Sequence, residues 1–312
     1  MTTEIDETNG TDDSEGDRTL RIRRALRRTA GAVVPLALLA GGAVGCTPAP
    51  AAQATDSDTV IQVVAAENIW GEVAAQIGGP QVHVTDILGA ASSPGAQADP
   101  ATFRPSAADT RAIAGAQVFI LNGAGLDPWA DQAASAHPGV GRLDVNVGSQ
   151  VGVDPGQDPY LWYDPQDVMT AAQQIEQDFA QLRPSGAAYF EQQVQAFDQS
   201  SASTDVAMAA IIKQQFGGHG VGVCPGMAQS VAALLGLKPQ PAAPAAIKGG
   251  QIRALLCDTR SADPADTALL QAAASARIPV VQLSESLQPA GTTFQAWLTA
   301  QFNAIDQALA HA

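Results

Sequence analysis

The sequence has 312 residues, 46% of them hydrophobic and 15% charged, with a formal net charge of -15 at pH 7. This length suits one large or two medium domains. So acidic a surface repels nucleic acid and anionic lipid headgroups, which argues against both as partners recognised by charge.

The first 45 residues indicate an export segment rather than part of the fold. Residues 1–17 are acidic and polar without apolar periodicity, which is typical of disorder. A stretch with six arginines and an uncharged run from Thr29 to Cys46 follow. A basic region, an apolar region and small residues before a cleavage point are typical of a secretory signal. General secretion and the twin-arginine route both stay open.

The apolar run ends in Ala43-Val44-Gly45-Cys46. This segment resembles a bacterial lipobox, in which the cysteine is acylated and becomes the first residue. We therefore expect a lipid anchor at Cys46 on the outer face of the cytoplasmic membrane; the alternative is a plain cleaved signal. Residues 46–58, rich in Ala, Pro and Thr, suit a flexible tether.

Strands alternate with helices from residue 59 to residue 164. Short apolar runs predict buried strands at 60–66, 82–88, 118–122 and 143–147. Helices are predicted between them at 70–77, 106–114 and 129–136. Such alternation predicts an N-terminal lobe with a parallel sheet covered on both faces.

The pattern changes to helix from residue 165 to residue 216. Apolar residues recur at helical spacing, and almost no strand signal occurs. Asp164 and Pro165 supply an N-cap and a first-turn proline, while Pro184 should interrupt the helix. We expect a connecting segment of two or more helices.

Alternation resumes in a C-terminal lobe from residue 217 to residue 312. Strands are predicted at 219–224, 253–257 and 278–283, and helices at 226–235, 264–276 and 293–310. The predicted fold class is therefore α/β, with two lobes, each a mainly parallel β-sheet flanked by helices, joined by a long helical connector. Ligands of open parallel sheets bind beyond the carboxyl ends of the strands, so we expect the site in the cleft between the lobes.

Six segments, in order, resemble the zinc/manganese solute-binding proteins of ABC importers. They are 67–71 (ENIWG), 98–100 (ADP), 103–106 (FRPS), 122–129 (NGAGLDPW), 158–165 (DPYLWYDP) and 291–297 (GTTFQAW). The similarity runs from about residue 60 to residue 309. It implies two similar lobes, a connecting helix that limits hinge motion, and one metal ion held between the lobes by four ligand positions.

Those four positions carry a changed set of residues. The histidine of the family's Asp-Pro-His pattern is replaced by Ala101, and that of its Asn-Pro-His-x-Trp pattern by Tyr160. The third position aligns near Pro225, next to Cys224, and the fourth with Glu285. Alanine and proline side chains offer no donor, and a phenol ligates only when deprotonated, from a pKa near 10.

The metal ligands we expect are Glu285, Asp258 and Cys224, completed by water, with Tyr160, Ala101 and Pro225 lining the cleft. Each ligand also has a structural interpretation. Glu285 can be a solvated loop residue and Asp258 a helix cap. Cys224 and Cys257 can form a disulfide or stay as two buried thiols.

The sequence thus predicts the extracytoplasmic solute-binding component of a zinc or manganese ABC importer. Its expected partners are an ABC permease, a lipid anchor and a divalent metal ion, which is transported rather than kept as a cofactor. No catalytic motif is recognisable, so we do not expect an enzyme. The alternative is a paralogue that has lost the metal site and binds another small solute or a protein partner.

Overall fold

The computed structural model describes residues 60–89, 98–249, 252–258 and 264–311. The predicted export segment, the tether and Cys46 lie outside these residues. Within them, no helix is both long enough and apolar enough to cross a membrane.

The N-terminal sheet contains four parallel strands in the described residues, in the order β2-β1-β3-β4. The strands are β1 (Ile61–Glu67), β2 (Val82–Leu88), β3 (Val118–Leu121) and β4 (Leu143–Asn146). The helices are α1 (Asn68–Gly78), α2 (Ala107–Gly115), α3 (Pro128–Ala136) and α4 (Val147–Val151). The predicted elements are confirmed to within two or three residues at each end, and α4 was not predicted.

Strand β1 is apolar nearly throughout because both of its faces are covered. Ile61, Val63 and Ala65 belong to the larger hydrophobic core, whereas Val64 and Ala66 belong to a second core on the other face. Alternate side chains of a strand point to opposite faces, so a continuous apolar run is what a doubly covered parallel sheet requires.

The connector is helical, as predicted. It contains α5 (Pro165–Leu182), α6 (Ala187–Ser201), a π-helical segment (Ala202–Val206) and α7 (Ala207–Phe216). The Asp164 side chain accepts a hydrogen bond from the Gln166 N–H at 2.9 Å and caps α5. Pro184 lies in a 3-10 turn that separates α5 from α6, which confirms the predicted interruption.

From residue 187 to residue 216 the chain is helical without a break, a length of about 45 Å. At its start, α6 packs against α1 and α5. At its end, the π-helical segment and α7 pack against the last helix, α11 (Phe294–Ala310). One continuous helix therefore contacts elements of both lobes.

The C-terminal sheet repeats this design, with four parallel strands in the described residues in the order β6-β5-β7-β8. The strands are β5 (Gly220–Val223), β6 (Lys238–Pro241), β7 (Leu255–Asp258) and β8 (Val280–Leu283). Besides α11, the helices are α8 (Met227–Leu234), α9 (Pro244–Lys248) and α10 (Pro264–Ala276). The two-lobed α/β fold class is confirmed.

Strand β6 was not predicted, because it contains two prolines. The N–H of Lys238 donates to the His219 carbonyl oxygen at 2.8 Å, and the N–H of Ala242 donates to that of Val223 at 3.2 Å. Alternate N–H groups of a strand point to the same side, so positions 239 and 241 face away from β5. Pro239 and Pro241 therefore occupy the outward positions of an edge strand, where no ladder hydrogen bond is lost.

Candidate functional site

The carboxyl edges of the two sheets are held against each other by hydrogen bonds between the lobes. The Asn68 side chain donates to the Leu287 carbonyl oxygen at 3.1 Å and accepts from the Leu287 N–H at 3.1 Å. The Tyr163 hydroxyl lies 3.0 Å from the Ser284 carbonyl oxygen and 2.9 Å from Gln301 Oε1. The residues that follow β8 are thus fixed next to the end of β1.

Beside these contacts lies a cavity of about 20 Å³, enough for one water molecule or an ion of similar size. It is lined by residues from both lobes: Glu67, Asn68, Leu88, Gly89, Ala98, Pro100, Glu285 and Ser286. Two carboxyl groups therefore reach the same small space, Glu67 from the end of β1 and Glu285 from the loop after β8.

Glu67 is a buried acid in an unfavourable environment. It is only 3% exposed, and its carboxyl group lies next to the Asp127 carboxyl group and the backbone of Asn122. Burial raises the pKa of Glu67 well above its usual range, and the nearby Asp127 and Glu285 raise it further. Burial thus favours the neutral form of this carboxyl group, while a backbone hydrogen bond from Asn122 acts in the opposite direction.

Asp127, beside Glu67, is fully buried, and both of its carboxyl oxygens accept hydrogen bonds. Its Oδ2 accepts a hydrogen bond from the Asn122 N–H at 2.8 Å, and its Oδ1 accepts one from the Gly123 N–H at 2.8 Å. Burial raises the pKa of Asp127 to about 7, while these two amides act in the opposite direction. Asp127 thus fixes the turn after β3 and places a second carboxyl group next to Glu67.

Glu285, the predicted ligand, is 7% exposed and lines the cavity. The N–H of its neighbour Ser284 donates to Gln301 Oε1 at 2.7 Å, which fixes the loop after β8. Burial raises the pKa of Tyr163 well above its usual range, with smaller contributions from Glu285 and Asp258. Asp258 therefore lies near this region, half-buried at the end of β7, and does not line the cavity.

The other positions expected from the resemblance do not converge on this cavity. Ala101 is exposed in a turn, where its N–H donates to Asp99 Oδ1 at 2.9 Å. Tyr160 lines a separate cleft of about 420 Å³. The Tyr160 hydroxyl lies next to the loop after β5, at 3.3 Å from the position that a Cβ on Gly226 would take. Pro225 is exposed and lines a third cavity of about 260 Å³.

The prediction of Cys224 as a thiolate ligand is wrong. Cys224 forms a disulfide with Cys257, with Cα atoms 4.8 Å apart, and both residues are buried at the ends of the adjacent strands β5 and β7. Disulfide sulfur has no thiolate charge to offer a metal. The alternative of a disulfide is confirmed instead.

Among the described residues, no group of three or more His, Cys, Asp or Glu side chains is placed to hold a metal ion. The cavity by itself offers two carboxyl groups, so a bound cation needs further ligands from water or neutral oxygens.

Glu67 and Asp127 were not identified as site residues from the sequence, although both lie in the segments that carry the resemblance. The signal for Glu67 was present, because a carboxylate at the end of a parallel strand lies at the ligand-binding edge of the sheet. The same reasoning had selected Glu285. Asp127 had no such signal, since its role depends on the turn that brings its side chain back to β3.

Comparison with known proteins agrees with this architecture. A sequence model of the family described as zinc-uptake complex component A, periplasmic (ZnuA), matches residues 63–245, more than half of the chain. The manganese-binding lipoprotein MntA of Halalkalibacterium halodurans is 25% identical over 158 residues, which are 50% of this chain and 50% of MntA. The chain thus matches about half the length of this curated relative.

Solved structures share the fold. The periplasmic zinc-binding protein TroA of Treponema pallidum superposes with a TM-score of 0.64 at 19% identity, covering 80% of this chain and 99% of TroA. A periplasmic metal-binding protein of Candidatus Liberibacter asiaticus gives 0.64 at 18% identity, with the same coverage. Zn(II)-bound AdcA of Streptococcus pneumoniae also gives 0.64 at 18% identity, covering 80% of this chain and 58% of AdcA.

Proposed function

The chain belongs to the family of zinc-uptake complex component A periplasmic proteins, and on this premise we propose that it is the extracytoplasmic solute-binding component of a zinc or manganese ABC importer. The observation that carries the proposal is the small cavity between the two sheets. It lies beyond the carboxyl ends of β1 and β8, where ligands of parallel sheets bind, and Glu67 and Glu285 line it from opposite lobes.

The partners follow from this role. A solute-binding component must deliver its cargo to a membrane permease, and the metal ion is cargo rather than a resident cofactor. We infer that Cys46 carries a lipid anchor that keeps the chain at the outer face of the cytoplasmic membrane. The lipobox-like segment supports this inference, as does the description of the curated relative as a lipoprotein. Binding, not catalysis, is the activity we propose.

A second candidate function is a paralogue that has lost metal binding and takes another small solute or a protein partner. Ala101 and Pro225 favour it, because two positions that should supply donors have none. The two clefts lined by Tyr160 and by Pro225 are larger than the carboxyl-lined cavity and would suit a small organic solute.

Thermal melting of the full chain in detergent separates the two functions. The protein is stripped with a chelator and melted with zinc, manganese, magnesium or no metal. A ligand at about 100 times its dissociation constant stabilises by roughly 2.7 kcal/mol, a shift of about 5–10 °C for a chain of this size. We expect such a shift with zinc or manganese, lost in Glu285→Gln and kept in Glu191→Gln on the exposed surface of α6. No shift with any divalent ion would contradict metal transport and favour the second function.

A further inference from the structure

The connector changes its helical hydrogen bonding in the π-helical segment Ala202–Val206. On either side of this segment, α6 and α7 are α-helices, so the change lies inside one continuous helix. Single π-helical turns within α-helices are rare, and helices kink at them, because their hydrogen bonds span one residue more than those of an α-helix. The segment is therefore a point at which an otherwise stiff rod can bend.

The sequence of this stretch accounts for the change. Residues 200–205 read SSASTD, and five of these six are serine, threonine or aspartate, whose side chains compete for backbone hydrogen bonds. The hydroxyls of Ser203 and Thr204 both donate to the Ser200 carbonyl oxygen, at 3.0 Å and 2.8 Å. Side-chain bonds of this kind destabilise and often bend helices. The interruption of the α-helix is thus encoded locally.

The segment lies where the helix passes from one lobe to the other. Before it, α6 packs against α1, the helix that follows β1. The π-helical segment and α7 after it pack against α11, which itself packs against β8 of the C-terminal sheet. A bend within the segment would therefore move one lobe relative to the other without deforming either sheet.

Polar side chains join this part of the helix to α11. The Thr299 hydroxyl donates to Asp205 Oδ1 at 3.0 Å, and Gln295 Nε2 donates to Ser201 Oγ at 3.4 Å. Gln295 Oε1 in turn accepts a hydrogen bond from Gln76 Nε2 on α1 at 3.1 Å. Three elements, α1, α11 and the connector, thus meet through a chain of hydrogen bonds at this one place.

Asp205 is the member of this contact that favours release. It is fully buried. Burial raises the pKa of Asp205 to about 6, while the hydroxyls of Thr299, Thr204 and Ser201 act in the opposite direction. A buried carboxyl group gains free energy when water reaches it. The hydrogen bond from Thr299 therefore holds the segment against α11, and hydration of Asp205 offsets part of the cost of breaking it.

We propose that Ala202–Val206 is the hinge between the two lobes, and that the hydrogen bond from Thr299 to Asp205 holds this hinge in the closed arrangement. When the lobes separate, α7 and α11 move with the C-terminal sheet, and α6 stays with α1. The connector is thus a stiff rod with one joint. This inference goes beyond the proposed function, because it specifies how the lobes move whatever ligand lies between them.

Double electron–electron resonance on the full chain in detergent measures the separation of the lobes. Nitroxide labels are attached through Gln132→Cys on α3 and Gln271→Cys on α10, both at exposed positions, with single-cysteine samples as background. We expect Thr299→Val, which removes the hydroxyl and keeps the shape of the side chain, to raise the ratio of open to closed molecules about three- to tenfold. The matched control is Thr170→Val, whose hydroxyl donates to the Gln166 carbonyl oxygen within α5, and it should give the wild-type distances.

Deletion of Ser203 tests the segment itself. Removing one residue lets α-helical hydrogen bonding run through the segment while α6 and α7 keep their packed faces, so the distances should narrow to one closed separation. Circular dichroism and urea unfolding check the fold, and if this variant unfolds, Thr299→Val against Thr170→Val decides alone. Wild-type distances in Thr299→Val, or an unchanged spread in a folded deletion variant, would overturn the hinge. Neither outcome bears on metal binding, so the proposed function stands or fails separately.

Discussion

Asn68 and Leu287, 219 residues apart in the sequence, form a reciprocal pair of hydrogen bonds between the two lobes. The Asn68 amide also donates to the Gly89 carbonyl oxygen at 3.0 Å, so one side chain joins the end of β1, the end of β2 and the loop after β8. These bonds lie beside Glu67 and close one side of the carboxyl-lined cavity. Asn68 therefore joins the two lobes at the edge of the candidate site.

Replacing Asn68 by alanine should loosen this closure. The change removes three hydrogen bonds and leaves the Leu287 backbone groups partly unsatisfied, which should cost about 1–3 kcal/mol of unfolding free energy. It should also increase the radius of gyration measured by small-angle X-ray scattering. The control is Asn146→Ala, whose side-chain bonds lie within the N-terminal lobe. A control variant that opens the lobes equally would contradict a specific role for Asn68.

Gly148 should not tolerate a side chain. A Cβ there would lie 2.6 Å from the backbone nitrogen of Ala124, in the turn that carries Asp127. We expect Gly148→Ala to lower the unfolding free energy by about 1–3 kcal/mol, because the neighbour is backbone and cannot move aside. At Gly115 in α2, no described heavy atom lies within 4 Å of the same position. Gly115→Ala should be neutral or stabilising by about 0.5–1 kcal/mol. Urea unfolding of both variants checks the contrast.

Asp86 should make the protein less stable as the pH rises through the acidic range. Burial raises the pKa of Asp86 to about 6, and Glu72 adds to the effect. An unfolded aspartate titrates near 3.9, so between these values the folded state holds a proton that the unfolded state has released. The unfolding free energy therefore falls as the pH rises, by roughly 3 kcal/mol in total, and the loss is complete above pH 6.

Asp86→Asn removes the titrating group and should flatten the pH dependence of the unfolding free energy. The measurement is urea unfolding of both proteins at intervals from pH 4 to pH 7. Other buried carboxyl groups titrate in both proteins, so the difference between the two curves isolates Asp86. Parallel curves over the whole range would show that Asp86 is not the group responsible.

The disulfide between Cys224 and Cys257 should contribute measurably to the stability of the C-terminal lobe. It closes a loop with a sequence separation of 33, which corresponds to about 3–4 kcal/mol in the chain-entropy account. Reductant should therefore lower the urea midpoint of the wild type. The double variant Cys224→Ser, Cys257→Ser should unfold at that lower midpoint and show no response to reductant. Equal wild-type midpoints with and without reductant would contradict this expectation.

The architecture was predictable from the sequence because a strand buried on both faces is a continuous apolar run, which can be recognised locally. The apolar run of β1 and the cap at Asp164 appear in the structure as predicted. The prediction missed β6. Pro239 and Pro241 are unsuitable for a central strand, but proline is permitted in an edge strand. Whether a strand is at the edge depends on the whole sheet and not on its own residues.

The candidate site was less predictable, because its members come together only in the fold. Glu285 could be chosen from its position after a strand, and it does line the cavity. Ala101, Tyr160 and Pro225 were chosen by resemblance, and the structure places them in three different surroundings. The pairing of Glu67 with Glu285 joins the first and last strands of the described fold, a relation that local sequence does not encode.

The outward prolines of β6 have a consequence for contacts between copies of this chain. An exposed strand edge with free N–H groups can pair with the edge of a neighbouring molecule. Pro239 and Pro241 remove the donors that such pairing needs. In the described part of the chain, the C-terminal sheet therefore ends at β6 with an edge that disfavours pairing with another strand.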